Sequence, residues 1–277
     1  MTNTSKPFVI LAPPALLPQA AAIEPVATPY GTAYARNYEE AWWMEPADAK
    51  TLIYATKELE ALYVIHVLAV QSLNHLLSAG DFLLPDNLID LTWEREQTFF
   101  VNKGYGFLPQ DPPFCPDLRS VLLNAAHQTL AALPFAERPR VFGRGTYAVM
   151  EQADAPLDDQ VSHLLHVWGA DAFGDEGVPI SFLARELELC YAPLGYTVAR
   201  SAGKSVHADN EPADTATDMP GDLLMRIIAT ARTNHHMHPR TCVCASAMQK
   251  TRERGLVGND WHTWVGVSAE ETGDGGA

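Results

Sequence analysis

The chain has no apolar run long enough to cross a membrane. Its longest apolar stretches, such as Ala61 to Val70, contain Tyr and His and fall well short of the ~20 residues that a spanning helix needs. Basic residues are also scarce, with 19 against 34 acids for a formal charge of −15. A surface of that sign repels nucleic acid and anionic membranes, so neither is expected as a partner. The one basic cluster, Lys250-Thr-Arg-Glu-Arg254, reads as a solvated helix end. Met1-Thr-Asn-Thr-Ser-Lys lacks the charged, apolar and cleavage regions of a signal peptide, which leads to the expectation of a cytoplasmic protein. Cysteines are few: Cys115, Cys190, Cys242 and Cys244. Cys242 and Cys244 are too close for an ordinary disulfide and the other two lie singly in apolar segments, so all four read as reduced, buried thiols. The cluster His235-His236-x-His238 lacks the further ligands of a metal site and reads as a polar helix end. Neither a metal nor a cofactor is expected.

What is present is enough for one large α/β domain: 277 residues, 47% of them apolar. Phe8 to Leu11 is a short apolar strand that must stop at Pro13-Pro14. Thr28-Pro-Tyr-Gly31 is a turn. Ala47 to Leu62 has helical periodicity, with a start at Pro46. Ala61 to Ala69 is apolar on both faces, as a buried parallel strand should be. Phe82 to Leu84, Thr146 to Met150 and Cys190 to Val198 are further strands. Helices are predicted over Asp117 to Ala132 (capped by Asp117), Asp159 to Trp168, Val178 to Leu189, and from Gly221 to Ala231 onward. Residues 1–7 read as a flexible N-terminus and 8–268 as the domain, with a mobile polar loop over 202–217. An acidic, Gly-rich tail over 269–277 reads as disordered. Strands alternating with helices, without an internal repeat, indicate a doubly wound α/β domain.

Six ordered blocks carry a resemblance. Thr28-Pro-Tyr-Gly31, Leu68-Ala-Val-Gln-Ser-Leu73 and the run from Ala79-Gly-Asp to Ile89-Asp90 come first. Pro113-Phe-Cys-Pro116 with Arg119, Trp168-Gly-Ala-Asp171 with Val178-Pro179, and Glu186-Leu-Glu-Leu-Cys-Tyr-Ala192 follow. Together they resemble the methylthioadenosine phosphorylase branch of the purine nucleoside phosphorylase family over roughly residues 8 to 255. The resemblance implies a nucleoside-phosphorylase-like fold, a single α/β domain with a twisted mixed central sheet flanked by helices. It also implies a homotrimer in which Tyr105 to Cys115, with Phe107 or Leu108, reaches a neighbour's site.

The departures from the family fall on its chemistry. Where the family has a Gly-Thr-Gly phosphate turn, this chain has Ala12-Pro-Pro-Ala15, without the donors. The Arg-His-Gly region is shortened to Arg36 to Trp43, leaving Arg36 as the only remnant. The family's Thr becomes Leu68, its Gly becomes Gln71, and its Asn-Met-Thr becomes Gly174-Asp-Glu176. The Ile-Glu-Gly-Pro segment keeps only its Glu, at Glu151 beside Met150, and the purine-reading Asp positions fall near Ala199 and Ser201. A carboxylate near ~4 Å from phosphate opposes binding by several kcal/mol at an effective dielectric near 20. The leading expectation is therefore an enzyme repurposed for a largely apolar small molecule. Asp175, Glu176 and Glu151, with carboxyls raised by apolar walls, would catalyse cyclisation, isomerisation or elimination without phosphate. Tyr30, Trp42, Trp43, Leu68, Gln71, Met150, Phe173, Tyr196 and Phe107 would line the substrate cavity. The alternatives are a non-catalytic relative that binds a ligand or partner, and a methylthioadenosine or purine nucleoside phosphorylase or hydrolase with rearranged contacts.

Overall fold

Phe8, Val9, Ile10 and Leu11 are all excluded from solvent, so the first strand must be covered on both faces. Because side chains alternate along a strand, Phe8 and Ile10 join one core cluster and Val9 and Leu11 another. The computed structural model describes residues 7–101, 103, 105, 108–152, 157–200, 220–235 and 240–265. The loop expected over 202–217 and the tail over 269–277 lie outside them, as does Phe107.

Within these residues the chain runs β1 (Phe8–Leu11), β2 (Ile23–Thr28), β3 (Gly31–Tyr38), β4 (Ala41–Met44), α1 (Ala49–Glu58), β5 (Tyr63–Ser72), β6 (Phe82–Leu83) and β7 (Asn87–Asp90). It continues through α2 (Pro116–Ala131), β8 (Val141–Phe142), β9 (Thr146–Val149), α3 (Asp159–Val167), β10 (Ala172–Gly174), α4 (Ile180–Glu186), β11 (Cys190–Arg200), α5 (Gly221–His235) and α6 (Gln249–Glu253). The sheet follows the order β2-β3-β4-β1-β5-β10-β9-β7, while β11 pairs with β5 and β6, and β6 with β8. Strands β1, β4, β5 and β11 are parallel to one another where they pair, and β10 meets β5 antiparallel. The sheet is therefore mixed, as anticipated. Helices α2 and α5 cover one face and α1 and α4 the other. No helix among the described residues is long and apolar enough to cross a membrane.

Several boundaries differ from the sequence reading for local reasons. Helix α1 starts only after Asp48, whose carboxylate accepts from the Thr51 N–H at 2.8 Å. It ends where Glu60 takes φ 56°, which turns the chain into β5. Asp117 does not cap α2. Cys115 holds that position, and Asp117 accepts instead from the backbone and hydroxyl of Thr241. Helix α4 stops at Glu186, and Glu188 then adopts φ 57°. The shortened stretch from Arg36 to Trp43 is a hairpin between β3 and β4, turned by Glu39 and Glu40 at φ 47° and 62°.

Candidate functional site

Three connections converge on a pocket of about 440 Å³. The first is Pro46 to Lys50, from the end of β4 into α1. The second is Glu94 to Glu96, beyond β7, and the third is Asp175 to Ile180, from β10 into α4. Ligands in open α/β folds bind where such connections leave the sheet.

Arg95 fixes two of these walls. Its Nε donates to Glu151 at 3.1 Å, its Nη1 to the Asp175 and Val178 carbonyls, and its Nη2 to those of Met150 and Glu151. A guanidinium has five N–H donors, and here five bonds occupy them. Glu151 also accepts from the Trp93 N–H at 3.0 Å. Hydrogen bonds from that backbone outweigh burial, and with the Arg95 bond they hold the Glu151 carboxyl below its usual range. Glu151 thus anchors Arg95 as a carboxylate and is no proton donor near neutral pH.

Lys50 is bound differently. Its side chain is only 5% exposed, yet its ion-pair partner is the 69% exposed carboxylate of Glu96. The Lys50 ammonium also lies 5.5 Å from the centre of the Tyr30 ring. Glu176 presents a carboxylate that is 40% exposed, and its Oε2 lies 3.5 Å from Nε2 of the buried His66. His66 Nδ1 contacts the Tyr191 hydroxyl at 3.0 Å. When Nδ1 accepts from Tyr191, the neutral imidazole carries its proton on Nε2, the nitrogen on the side of Glu176. Burial raises the Glu176 carboxyl, but the adjacent His66 imidazole and the charge of Arg95 outweigh it, and the group is held below the ordinary value. Behind the loop, Tyr147 donates to the Glu176 carbonyl at 3.2 Å. A methyl group at Gly174 would sit 2.3 Å from the Tyr147 oxygen, so glycine is required there.

Of the sequence-predicted residues, Asp175 and Glu176 line the pocket. Glu151 stands behind it through Arg95, and Met150 contributes its carbonyl. Tyr30 flanks Lys50 while packing on Tyr54 and Phe99. Trp43 and Tyr196 are buried in the core under α2 and α5, and Leu68 and Phe173 in clusters around β9 and β10. Trp42 packs against the cluster of α1 and α4, and Gln71 pairs in register with Phe173. The apolar residues were expected as cavity walls because they replace polar ones. The fold uses them instead to fill the interior. Lys50, His66 and Arg95 were not singled out in the sequence, although Lys50 and Arg95 line this pocket and His66 stands behind Glu176.

The Phosphorylase superfamily profile matches residues 44–229. A probable 6-oxopurine nucleoside phosphorylase of Thermococcus kodakarensis is 33% identical over 204 residues, covering 66% of this chain and 73% of that protein. A probable S-methyl-5'-thioinosine phosphorylase of Methanocaldococcus jannaschii is 27% identical over 199 residues, 71% and 74% of the two chains. Among solved structures, a methylthioadenosine phosphorylase from an antarctic soil metagenomic library superposes with a TM-score of 0.72 at 21% identity. That superposition covers 91% of this chain and 99% of the other, and it supports the fold. The named relatives contradict the expectation of a phosphate-free cyclase, isomerase or lyase, because they are phosphorylases. The electrostatics agree, since Glu151 and Glu176 are both held ionised rather than protonated.

Proposed function

The chain belongs to the phosphorylase superfamily, and from that premise we propose that it cleaves the N-glycosidic bond of a purine nucleoside or its 5'-methylthio analogue, with inorganic phosphate as acceptor. One observation carries the reading: every residue lining the pocket lies inside the segment matched by the family profile. A phosphate oxygen attacks the anomeric carbon as the bond to the purine nitrogen breaks. The base leaves with the bonding electrons and takes up a proton, and the sugar leaves as its 1-phosphate. Lys50, released from Glu96, supplies the cation for phosphate. The ionised Glu176 accepts from a sugar hydroxyl and faces the positive charge that develops on the ring, with Asp175 beside it. Because prolines, Leu68 and acids replace the family's phosphate and purine contacts, the contacts in this reading are rearranged around Lys50. The resemblance to the methylthioadenosine phosphorylase branch supports a homotrimer, which light scattering would show as a single trimeric species and a monomer would contradict.

A second reading has support of its own. The pocket carries Asp48, Glu94, Glu96, Asp175 and Glu176 against Lys50 and Arg95, a balance that suits water better than a phosphate dianion. Glu176 would then take a proton from water as its oxygen attacks the same carbon. Incubation with inosine, adenosine and methylthioadenosine, with and without phosphate, separates the two. Base release only with phosphate supports phosphorolysis, and equal release without it supports hydrolysis. No release from any of the three under either condition would remove both.

A further inference from the structure

The chain's four cysteines come from three distant parts of the sequence and meet at one point. Cys115 caps α2, Cys190 begins β11, and Cys242 and Cys244 share a single 3-10 turn that follows α5. All four Sγ atoms lie within 4.8 Å of one another, with Cys190 and Cys242 at 3.3 Å. All four thiols are free, and their exposure ranges from 0% to 7%.

We propose that these four sulfurs form a closed tetrathiolate site for one structural zinc ion. Zinc–sulfur bonds of ~2.3 Å in a tetrahedron place neighbouring sulfurs about 3.8 Å apart. The present spread brackets that spacing, so side-chain adjustments suffice to close the site. Four thiolates without a carboxylate or imidazole select a soft or borderline metal over calcium or magnesium. The burial leaves no open coordination position, which marks the ion as structural and not catalytic. Binding releases the thiol protons and leaves a centre with a net charge of −2, since four thiolates surround one dication. A cation is already in place. Arg240, two residues before Cys242, lies 5.9 Å over the ring of Tyr63, the strand partner of Cys190. Its Nε is buried without a hydrogen-bond partner, as a donor reserved for an anionic sulfur centre would be. The ion would tie the turn carrying Cys242 and Cys244 to β11 and α2. Polar contacts from Thr241 to Asp117 and from Met248 and Arg252 to Glu188 already dock the same segment.

The test is the metal content of the full chain, expressed in zinc-supplemented medium and purified under reducing conditions, together with its intact mass. The site predicts one zinc per chain, released on titration of the thiols with a mercurial. Replacement by cobalt should produce the intense visible absorption of a tetrahedral thiolate centre. Cys115→Ser and Cys244→Ser should each lower the zinc content at least tenfold, and chelation of the wild type should lower its melting temperature. A folded wild type without stoichiometric metal, or one lighter by the four hydrogens of two disulfides, would overturn the proposal. If neither variant folds, the wild-type metal content and cobalt spectrum decide the question alone.

Discussion

Two corners of the same pocket hold a cation against a carboxylate, and they are built in opposite ways. At one, Arg95 spends all five donors on fixed acceptors, four of them backbone carbonyls, and Glu151 is tied down by the Trp93 amide. At the other, buried Lys50 is paired with a largely exposed Glu96, and Glu176 keeps 40% of its side chain in solvent. A saturated group has nothing left to offer a ligand, whereas a buried cation whose partner is in water can exchange that partner. The Arg95 corner therefore shapes the pocket, and the proposed function assigns substrate contact to the Lys50–Glu176 corner.

Substitutions should separate the corners. Arg95→Ala should have the largest effect, destabilising the fold by about 3–5 kcal/mol in denaturant titration, because it strands partly buried acceptors. Arg95→Lys should recover little, since an ammonium cannot span five acceptors. A loss below ~1 kcal/mol would erase the distinction. Lys50→Met should reduce kcat/KM for phosphate by roughly 100-fold while leaving the unfolding midpoint nearly unchanged, because its salt bridge ends in solvent.

Behind the Lys50 corner, burial pushes Glu186 up to about 7, against hydrogen bonds from Thr98 and the Phe99 amide that lower it. An acid with a raised folded pKa binds its proton more tightly in the native state. Its stabilising contribution is present below the unfolded value and disappears as pH rises to about 7. Glu186→Gln keeps both partners and should flatten the fall in stability between pH 4.5 and 7, with a gain of about 2 kcal/mol above that range. A pH dependence unchanged from wild type would show that Glu186 does not titrate there. The smallest effect belongs to Asp158→Ala, which removes the cap that accepts from Gln160 N–H and should cost about 1 kcal/mol without altering turnover.

The sequence showed the scaffold wherever burial leaves a periodic trace. Strands β1, β5, β9 and β11 are apolar runs within a few residues of their predicted bounds. The hairpin strands β2 and β3 carry exposed and polar residues, and two glutamates at positive φ turn β3 into β4, so neither pattern nor propensity marked them. Asp175 and Glu176 were singled out by their family position, and both line the pocket. Arg95 lay in the charged run Trp93-Glu-Arg-Glu96, which looks like a solvated surface. Its acceptors are mostly main-chain carbonyls, and no side-chain pattern records those. His66 lies in the apolar run of β5, and nothing local marks it because its partner Tyr191 lies 125 positions away. The cysteines read correctly as buried thiols, but their convergence depends on how α2, β11 and the turn after α5 pack.

Phosphorus NMR of the folded protein incubated with purine nucleosides and inorganic phosphate tests the division of the pocket most directly. A sugar 1-phosphate resonance should grow with the wild-type protein and be suppressed by Lys50→Met, with the fold of that variant intact. A wild type that forms no sugar phosphate from any purine nucleoside, or a Lys50→Met variant that forms it at the wild-type rate, would contradict that division.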